Sequence, residues 1–188
     1  MTAAQADLAG AHSDLREIPE GLKLDTPTLE DGAALWRIAR DSKTLDLNSS
    51  YSYLLWCRDF AETSVVAKDQ DGEAVGFITG YVRPRSPGTL LIWQVAVDDS
   101  QRGRGLAAAM LDGLTFRTAR ELGVNGIETT VTPDNTPSNR LFTSFAERHG
   151  APVEREVLFE AEAFPGEGHE PEVLYRIGPI TFPGGRQD

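Results

Sequence analysis

The sequence has little cysteine: Cys57 is the single one in 188 residues. One thiol excludes an intrachain disulfide framework and leaves a thiolate metal cluster without ligands. Basic residues are also scarce. Against 29 Asp and Glu stand 18 Lys and Arg, for a formal net charge of −11. Sequence-independent binding to nucleic acid depends on phosphate neutralisation by Lys and Arg, so the charge argues against that class. No apolar run approaches the ~18 residues of a membrane-spanning helix. Residues 1–20 carry neither the basic start nor the apolar centre of a secretory signal, and their acidic residues argue against an organelle transit peptide. What remains is ordinary globular composition, 40% apolar and 25% charged, at a length that buries a core without staples. The expected organisation is a flexible N-terminal tail (1–20, with His12 in it), one domain over 21–180, and a C-terminal tail over 181–188.

Strand and helix signals alternate through the domain. Thr28, with Asp31 in a capping-box-like position, predicts a helix over about 29–42 that places Ala34, Leu35, Ile38 and Ala39 on one face. Ser49 or Ser50 opens a second helix through Phe60. Two strands, Ser64–Lys68 and Ala74–Val82, flank Asp69-Gln70-Asp71-Gly72, a hairpin signal. Pro84, Pro87 and Gly88 are expected to break the chain before a third strand, Leu90–Val97, which is apolar almost throughout. A helix over about Gly105–Leu122, a strand over Gly126–Val131, a helix over about Pro137–His149 and strands over Val153–Phe159 and Val173–Ile177 complete the series. The fold class is α/β (α+β), built on a central sheet.

The most informative stretch joins the third strand to the long helix: Trp93-Gln94-Val95-Ala96-Val97, a short turn, then Arg102-Gly103-Arg104-Gly105-Leu106-Ala107. Glycines let a backbone approach a ligand closely. The first N–H groups of a helix have no partners within it, and the helix dipole is positive there, so the arrangement suits a diphosphate. Arg102 and Arg104 add charge. The same glycines would also serve a turn that merely needs them, and the dinucleotide fingerprint is incomplete because Ala108 stands at its third glycine.

These residues resemble the GCN5-related N-acetyltransferase superfamily, whose phosphate motif Gln/Arg-x-x-Gly-x-Gly/Ala is matched by Arg102-Gly103-Arg104-Gly105-Leu106-Ala107. The resemblance implies a mixed, mostly antiparallel sheet flanked by helices, with acetyl-CoA as co-substrate and no metal. It implies that Val95, Ala96 and Val97 pair with the pantetheine arm and polarise the thioester. It also puts Asn135, Asn139 and Phe142 at cofactor contacts, through Asn135-Thr136-Pro137-Ser138-Asn139-Arg140-Leu141-Phe142. Phe142 departs from the family, which often has a tyrosine there to protonate the leaving thiolate.

An amine attacks a thioester only when neutral, so the acceptor site must hold an ammonium group and remove its proton. Two segments offer suitable groups. One is Thr44–Tyr53, with Asp46, Asn48, Tyr51 and Tyr53; the other is Phe164–Glu172, with His169 and two nearby glutamates. Each also reads as a solvated loop. Together with Trp93, these segments resemble the L-2,4-diaminobutyrate acetyltransferases of ectoine synthesis, over about residues 22–178. That resemblance implies transfer of acetyl to the N4 amine of L-2,4-diaminobutyrate by a cytoplasmic homodimer. It places Asp46, Tyr51, Trp93, His169 and Glu172 around the substrate. Asp46 and Glu172 would grip ammonium groups, and His169 or Glu172 would take the proton. Two other readings stay open: an acetyltransferase of the same fold acting on another small amine, and a non-catalytic acyl-CoA-binding module, which Phe142 favours.

Overall fold

The computed structural model describes residues 15–165 and 168–182; His12, Gly166 and Glu167 lie outside them. Among the described residues, seven strands form one sheet in the order β1-β2-β3-β4-β5-β7-β6. They are β1 (Lys23–Asp25), β2 (Val65–Lys68), β3 (Ala74–Arg83), β4 (Ser86–Val97), β5 (Gly126–Val131), β6 (Val153–Phe159) and β7 (Glu172–Ile177). Every pair is antiparallel except β4 and β5. Among the described residues, four α-helices flank the sheet: α1 (Gly32–Ser42), α2 (Ser50–Asp59), α3 (Leu106–Leu122) and α4 (Thr136–Arg148).

Strand alternation divides the core between the two faces. Val66 and Phe77 pack with Leu35 and Ile38 of α1 and Tyr53 and Cys57 of α2. Val65, Ala67 and Ile78 pack with Leu106, Met110 and Leu114 of α3 and Phe142 and Phe145 of α4. The start of the first helix follows the expected chemistry: the Thr28 N–H and hydroxyl both donate to Asp31 Oδ2, at 2.7 and 3.0 Å. A 3-10 turn over Leu29–Asp31 precedes α1.

The structure departs from the expected elements in three places. β1 is an unforeseen edge strand, because three residues are too few to show alternation. β4 begins at Ser86 rather than Leu90 and contains Pro87 and Gly88. Arg83 pairs with Ser86 but Val82 pairs with Leu90, so the intervening residues bulge out of the β3 ladder. A proline with no N–H costs nothing there. Finally, the folded body extends beyond 21–180. The Arg16 N–H donates to buried Asp112 at 2.9 Å, and Phe182, 7% exposed, packs edge-on against Phe116 and His149.

Two irregularities of β4 position everything that follows. Its pairing with β5 covers only Thr89↔Gly126, Leu90↔Ile127 and Leu91↔Glu128, so the two strands part beyond Leu91. Buried Glu128 receives Arg83 Nη1 at 2.6 Å and Arg176 Nε at 3.3 Å, which clamps the closed end. On its other side, β4 pairs Gln94 with Thr79 but Ile92 with Gly80, leaving Trp93 as the extra residue of a bulge. Gly80 opposite it has no room for a side chain: a Cβ would stand 2.6 Å from the Leu91 carbonyl oxygen. Its carbonyl accepts from Thr63 Oγ1 at 2.6 Å, and its N–H donates to Ser64 Oγ at 3.3 Å.

Gly80→Ala is therefore expected to cost about 1–3 kcal/mol of stability. For a chain of this size that lowers Tm by roughly 2–4 °C per kcal/mol; calorimetry showing an unchanged Tm would contradict this account of the bulge. A second expectation concerns Cys57, which is 4% exposed. Burial pushes its thiol up to about 11, so hardly any thiolate exists at neutral pH. The native protein should not react with an aromatic disulfide reagent at pH 8, and the denatured chain should release one equivalent. Prompt labelling of the folded protein would contradict this.

Candidate active site

The open end of the β4–β5 wedge leads into a groove of about 590 Å³. β4 contributes Val95, Ala96 and Val97 to its wall. The turn after it adds Arg102, Gly103 and Gly105, and the first turn of α3 adds Leu106 and Ala107. Asn135 and Arg140 close the side formed by α4, while Thr44 and Leu45 close the side formed by the loop after α1.

The geometry of this wall follows from the backbone. The Asp98 N–H donates across to Val75 on β3 at 2.8 Å. Alternation along a strand then turns the N–H and C=O groups of Val97 and Val95 the other way, into the gap left by β5. Gly103 and Gly105 have φ of 75° and 81°, a region that costs other residues about 1–2 kcal/mol. Nothing lies within 4 Å of where their Cβ atoms would be, so this backbone is open to a ligand. α3 begins directly after Gly105, and its unpaired N–H groups complete an anion cradle. The groove thus offers strand-edge hydrogen bonds to an amide-bearing arm and helix-start donors to a diphosphate, which is the shape and polarity of coenzyme A.

Three residues expected at the cofactor do not line this groove. Phe142 is 2% exposed and lies in the core beneath α4. Arg104 turns back to the Gln101 side chain and to the Glu20 carbonyl, the latter at 2.8 Å. Asn139 donates to the carbonyls of Thr132 (3.4 Å) and Pro133 (3.3 Å) and accepts from the Tyr175 hydroxyl, which holds the turn ahead of α4. Asn135 does line the groove, yet its side-chain oxygen caps α4 by accepting from the Ser138 N–H at 3.1 Å. Arg140, one residue after Asn139, reaches the groove because successive helical positions differ by about 100° in direction. The helical phase of Arg140 follows from the sequence once α4 is located. Thr44 and Leu45 gave no such signal, since the loop's path is set by contacts distant in sequence.

The residues expected at the acceptor fall into two groups. Asp46 is exposed, and its carbonyl accepts from Gln94 Nε2 at 3.0 Å, which sets its loop beside the bulge. Trp93, 53% exposed, faces outward from the bulge, and Trp56 of α2 packs against it at 6.1 Å between ring centroids. Tyr51 lies in the first turn of α2, 64% exposed. The other group stands beyond β5. Glu172 opens β7, half-buried and paired with Phe159 of β6. The His169 ring stacks on Phe164 at 3.6 Å between centroids, 9° from parallel. Its Nδ1 lies 2.6 Å from the Glu170 carbonyl. A carbonyl only accepts, so Nδ1 carries the hydrogen and Nε2 of the neutral ring keeps its lone pair for a proton. Among the described residues, no group of three or more His, Cys, Asp or Glu is arranged to hold a metal ion.

The pattern of the acetyltransferase (GNAT) family matches residues 32–146. The chain belongs to the GNAT acetyltransferase family. It is 68% identical over 181 residues to the L-2,4-diaminobutyric acid acetyltransferase of Streptomyces avermitilis, covering 96% of this chain and 99% of that one. It is 54% identical to the enzyme of that description from Nocardia farcinica, over 84% of this chain and 80% of the relative. Among solved structures, it superposes on the diaminobutyrate acetyltransferase EctA from Paenibacillus lautus with a TM-score of 0.79 and 42% identity. That match covers 87% of this chain and 98% of the other, which was solved with its substrate L-2,4-diaminobutyric acid and coenzyme A. Ard1 from Thermoplasma volcanium, 22% identical with a TM-score of 0.67 over 84% of this chain and 97% of that one, shares the fold.

Arg140→Ala is expected to weaken acetyl-CoA binding about three- to tenfold, the worth of one exposed charged contact to phosphate. The loss should shrink at high salt, which screens such contacts. Titration calorimetry at two salt concentrations checks this; equal affinity of variant and wild type at low salt would remove Arg140 from the site.

Proposed function

We propose that the protein transfers the acetyl group of acetyl-CoA to the N4 amine of L-2,4-diaminobutyrate, giving N4-acetyl-L-2,4-diaminobutyrate for ectoine synthesis. The observation that carries this is likeness over the whole domain to an enzyme solved with that amino acid and coenzyme A, joined to a groove of matching polarity.

The substrate carries two ammonium groups and one carboxylate. Its α-amine is the easier to deprotonate, so choosing N4 depends on position rather than basicity. In this reading Asp46 holds the α-ammonium on the β4 side, Trp93 and Tyr51 shape the pocket, and Glu172 receives the N4 ammonium from the β7 side. His169 Nε2 or Glu172 takes the N4 proton. The freed nitrogen lone pair then forms the C–N bond at the thioester carbonyl, the C–S bond breaks with its electrons going to sulfur, and the proton that the acylated nitrogen sheds passes through solvent to the thiolate, so that coenzyme A leaves as the thiol. The Val95 N–H, turned into the wedge, stabilises the negative charge that gathers on the carbonyl oxygen. A preorganised donor of this kind is worth about 3 kcal/mol. Phe142 supplies no proton to the departing thiolate.

The proposal includes a homodimer acting in the cytoplasm. Supporting the dimer, the edge strand β6 leaves Val157, Leu158 and Phe159 between 41% and 48% exposed, apolar area that a second copy would cover. Among the described residues, no helix is long and apolar enough to cross a membrane.

The test is coenzyme A release with acetyl-CoA and L-2,4-diaminobutyrate, run beside ornithine, lysine and 2,3-diaminopropionate, with NMR of the product. The expected result is strong preference for diaminobutyrate and acetylation at N4. Preference for a longer diamine would keep the fold and cofactor and overturn the acceptor. Acetyl-CoA binding without turnover of any amine would overturn the enzymatic reading.

A further inference from the structure

A buried polar hub lies beneath the loop that carries Asp46. Tyr53 of α2 is 0% exposed and Gln94 of β4 is 6% exposed. The Tyr53 hydroxyl donates to Gln94 Oε1 at 3.0 Å, and Gln94 Nε2 donates to the Asp46 carbonyl at 3.0 Å. Burial pushes the phenol above its ordinary range, so it remains a donor at neutral pH. An amide buried in a strand is costly unless both of its ends are satisfied, and here they are satisfied by the loop and by α2. The sheet itself does not need this residue, since the buried positions on either side, Ile92 and Ala96, are apolar.

We propose that Gln94 is a positioning residue for the acetyl acceptor, holding the Asp46 backbone, and through it the carboxylate, against the bulge of β4 beside Trp93. The inference rests on the reading above, in which Asp46 grips the α-ammonium.

The loop has no other regular support. It runs from Lys43, in a left-handed conformation with φ 56°, to Ser49, whose side chain caps α2. Within it, Leu45 packs against the apolar cluster of α1 and α2, so the part that lines the cofactor groove is held independently. Asp46 and Leu47 are exposed. Gln94 therefore ties the acceptor half of the loop to Tyr53. Loosening this tie should weaken the grip on the amino acid and leave the seat of acetyl-CoA intact.

The experiment compares steady-state kinetics of wild type, Gln94→Leu, Asp46→Asn and the double variant, with Tm measured for each. Gln94→Leu keeps the side chain's approximate size and removes both hydrogen bonds. The expected result is a rise of about tenfold in KM for diaminobutyrate, with kcat within about threefold and KM for acetyl-CoA within about twofold. Added to Asp46→Asn, Gln94→Leu should change KM little further, because both act through the same carboxylate. A uniform fall in kcat with unchanged acceptor KM, or full multiplicativity in the double variant, would overturn the proposal. If Gln94→Leu does not fold, Tyr53→Phe is judged by the same criteria, with a smaller rise in KM expected. Failure of the wild type to acetylate diaminobutyrate would refute the substrate; wild-type turnover with an insensitive Gln94→Leu would refute only the role of Gln94.

Discussion

The parting of β4 from β5 after three residue pairs is the constraint on which the site depends. A strand that stays paired on both sides has no backbone groups to give a ligand. Here the ladder stops at Leu91↔Glu128, and the Arg83–Glu128–Arg176 contacts tie β5 to β3 across β4 and to β7 at that point. Beyond it, Val95 and Val97 keep their extended conformation because β3 still pairs with β4. Their outward N–H and C=O groups therefore stand fixed before any ligand arrives, which is the preorganisation that acyl transfer rewards.

The bulge at Trp93 is the second element of the same strand that shapes the site. It lets a large aromatic residue face outward between two buried neighbours, and it requires the glycine at position 80 across the ladder. The backbone groups of that glycine would be stranded without Thr63 and Ser64. In the proposed reading the strand serves cofactor and acceptor with different atoms. The main chain from Val95 to Val97 would face the thioester arm, while the side chains of Trp93 and Gln94 would organise the amine side. On that reading, a side chain can be exchanged to tune the acceptor without disturbing the backbone that the cofactor would use.

Much of this was legible in the sequence because the relevant physics is local. The Gly103–Gly105 turn, the helix that follows it and the cap at Asn135 depend on neighbours a few residues apart. The central strands and the helices α1 to α4 show themselves by periodicity and caps. β1 does not, since three residues carry no period, and Pro87 looks like a breaker but sits harmlessly in a bulge. Phe142, Asn139 and Arg104 were expected at the cofactor from their place in a motif, but helical phase and long-range contacts direct their side chains elsewhere. Arg140 was passed over for the complementary reason.

By itself the sequence determined most of the elements, the glycine turn that opens α3 and the residue types available for an amine, because propensity, capping and glycine conformation act over a few residues. The tertiary structure alone decided where β4 and β5 separate, that Trp93 is the residue a bulge turns outward, and that Gln94 reaches from the sheet to the carbonyl of Asp46, 48 positions away. Those facts arise from ladder register and packing between distant segments. No local pattern encodes them, because each depends on where a partner strand or loop is placed by the rest of the fold.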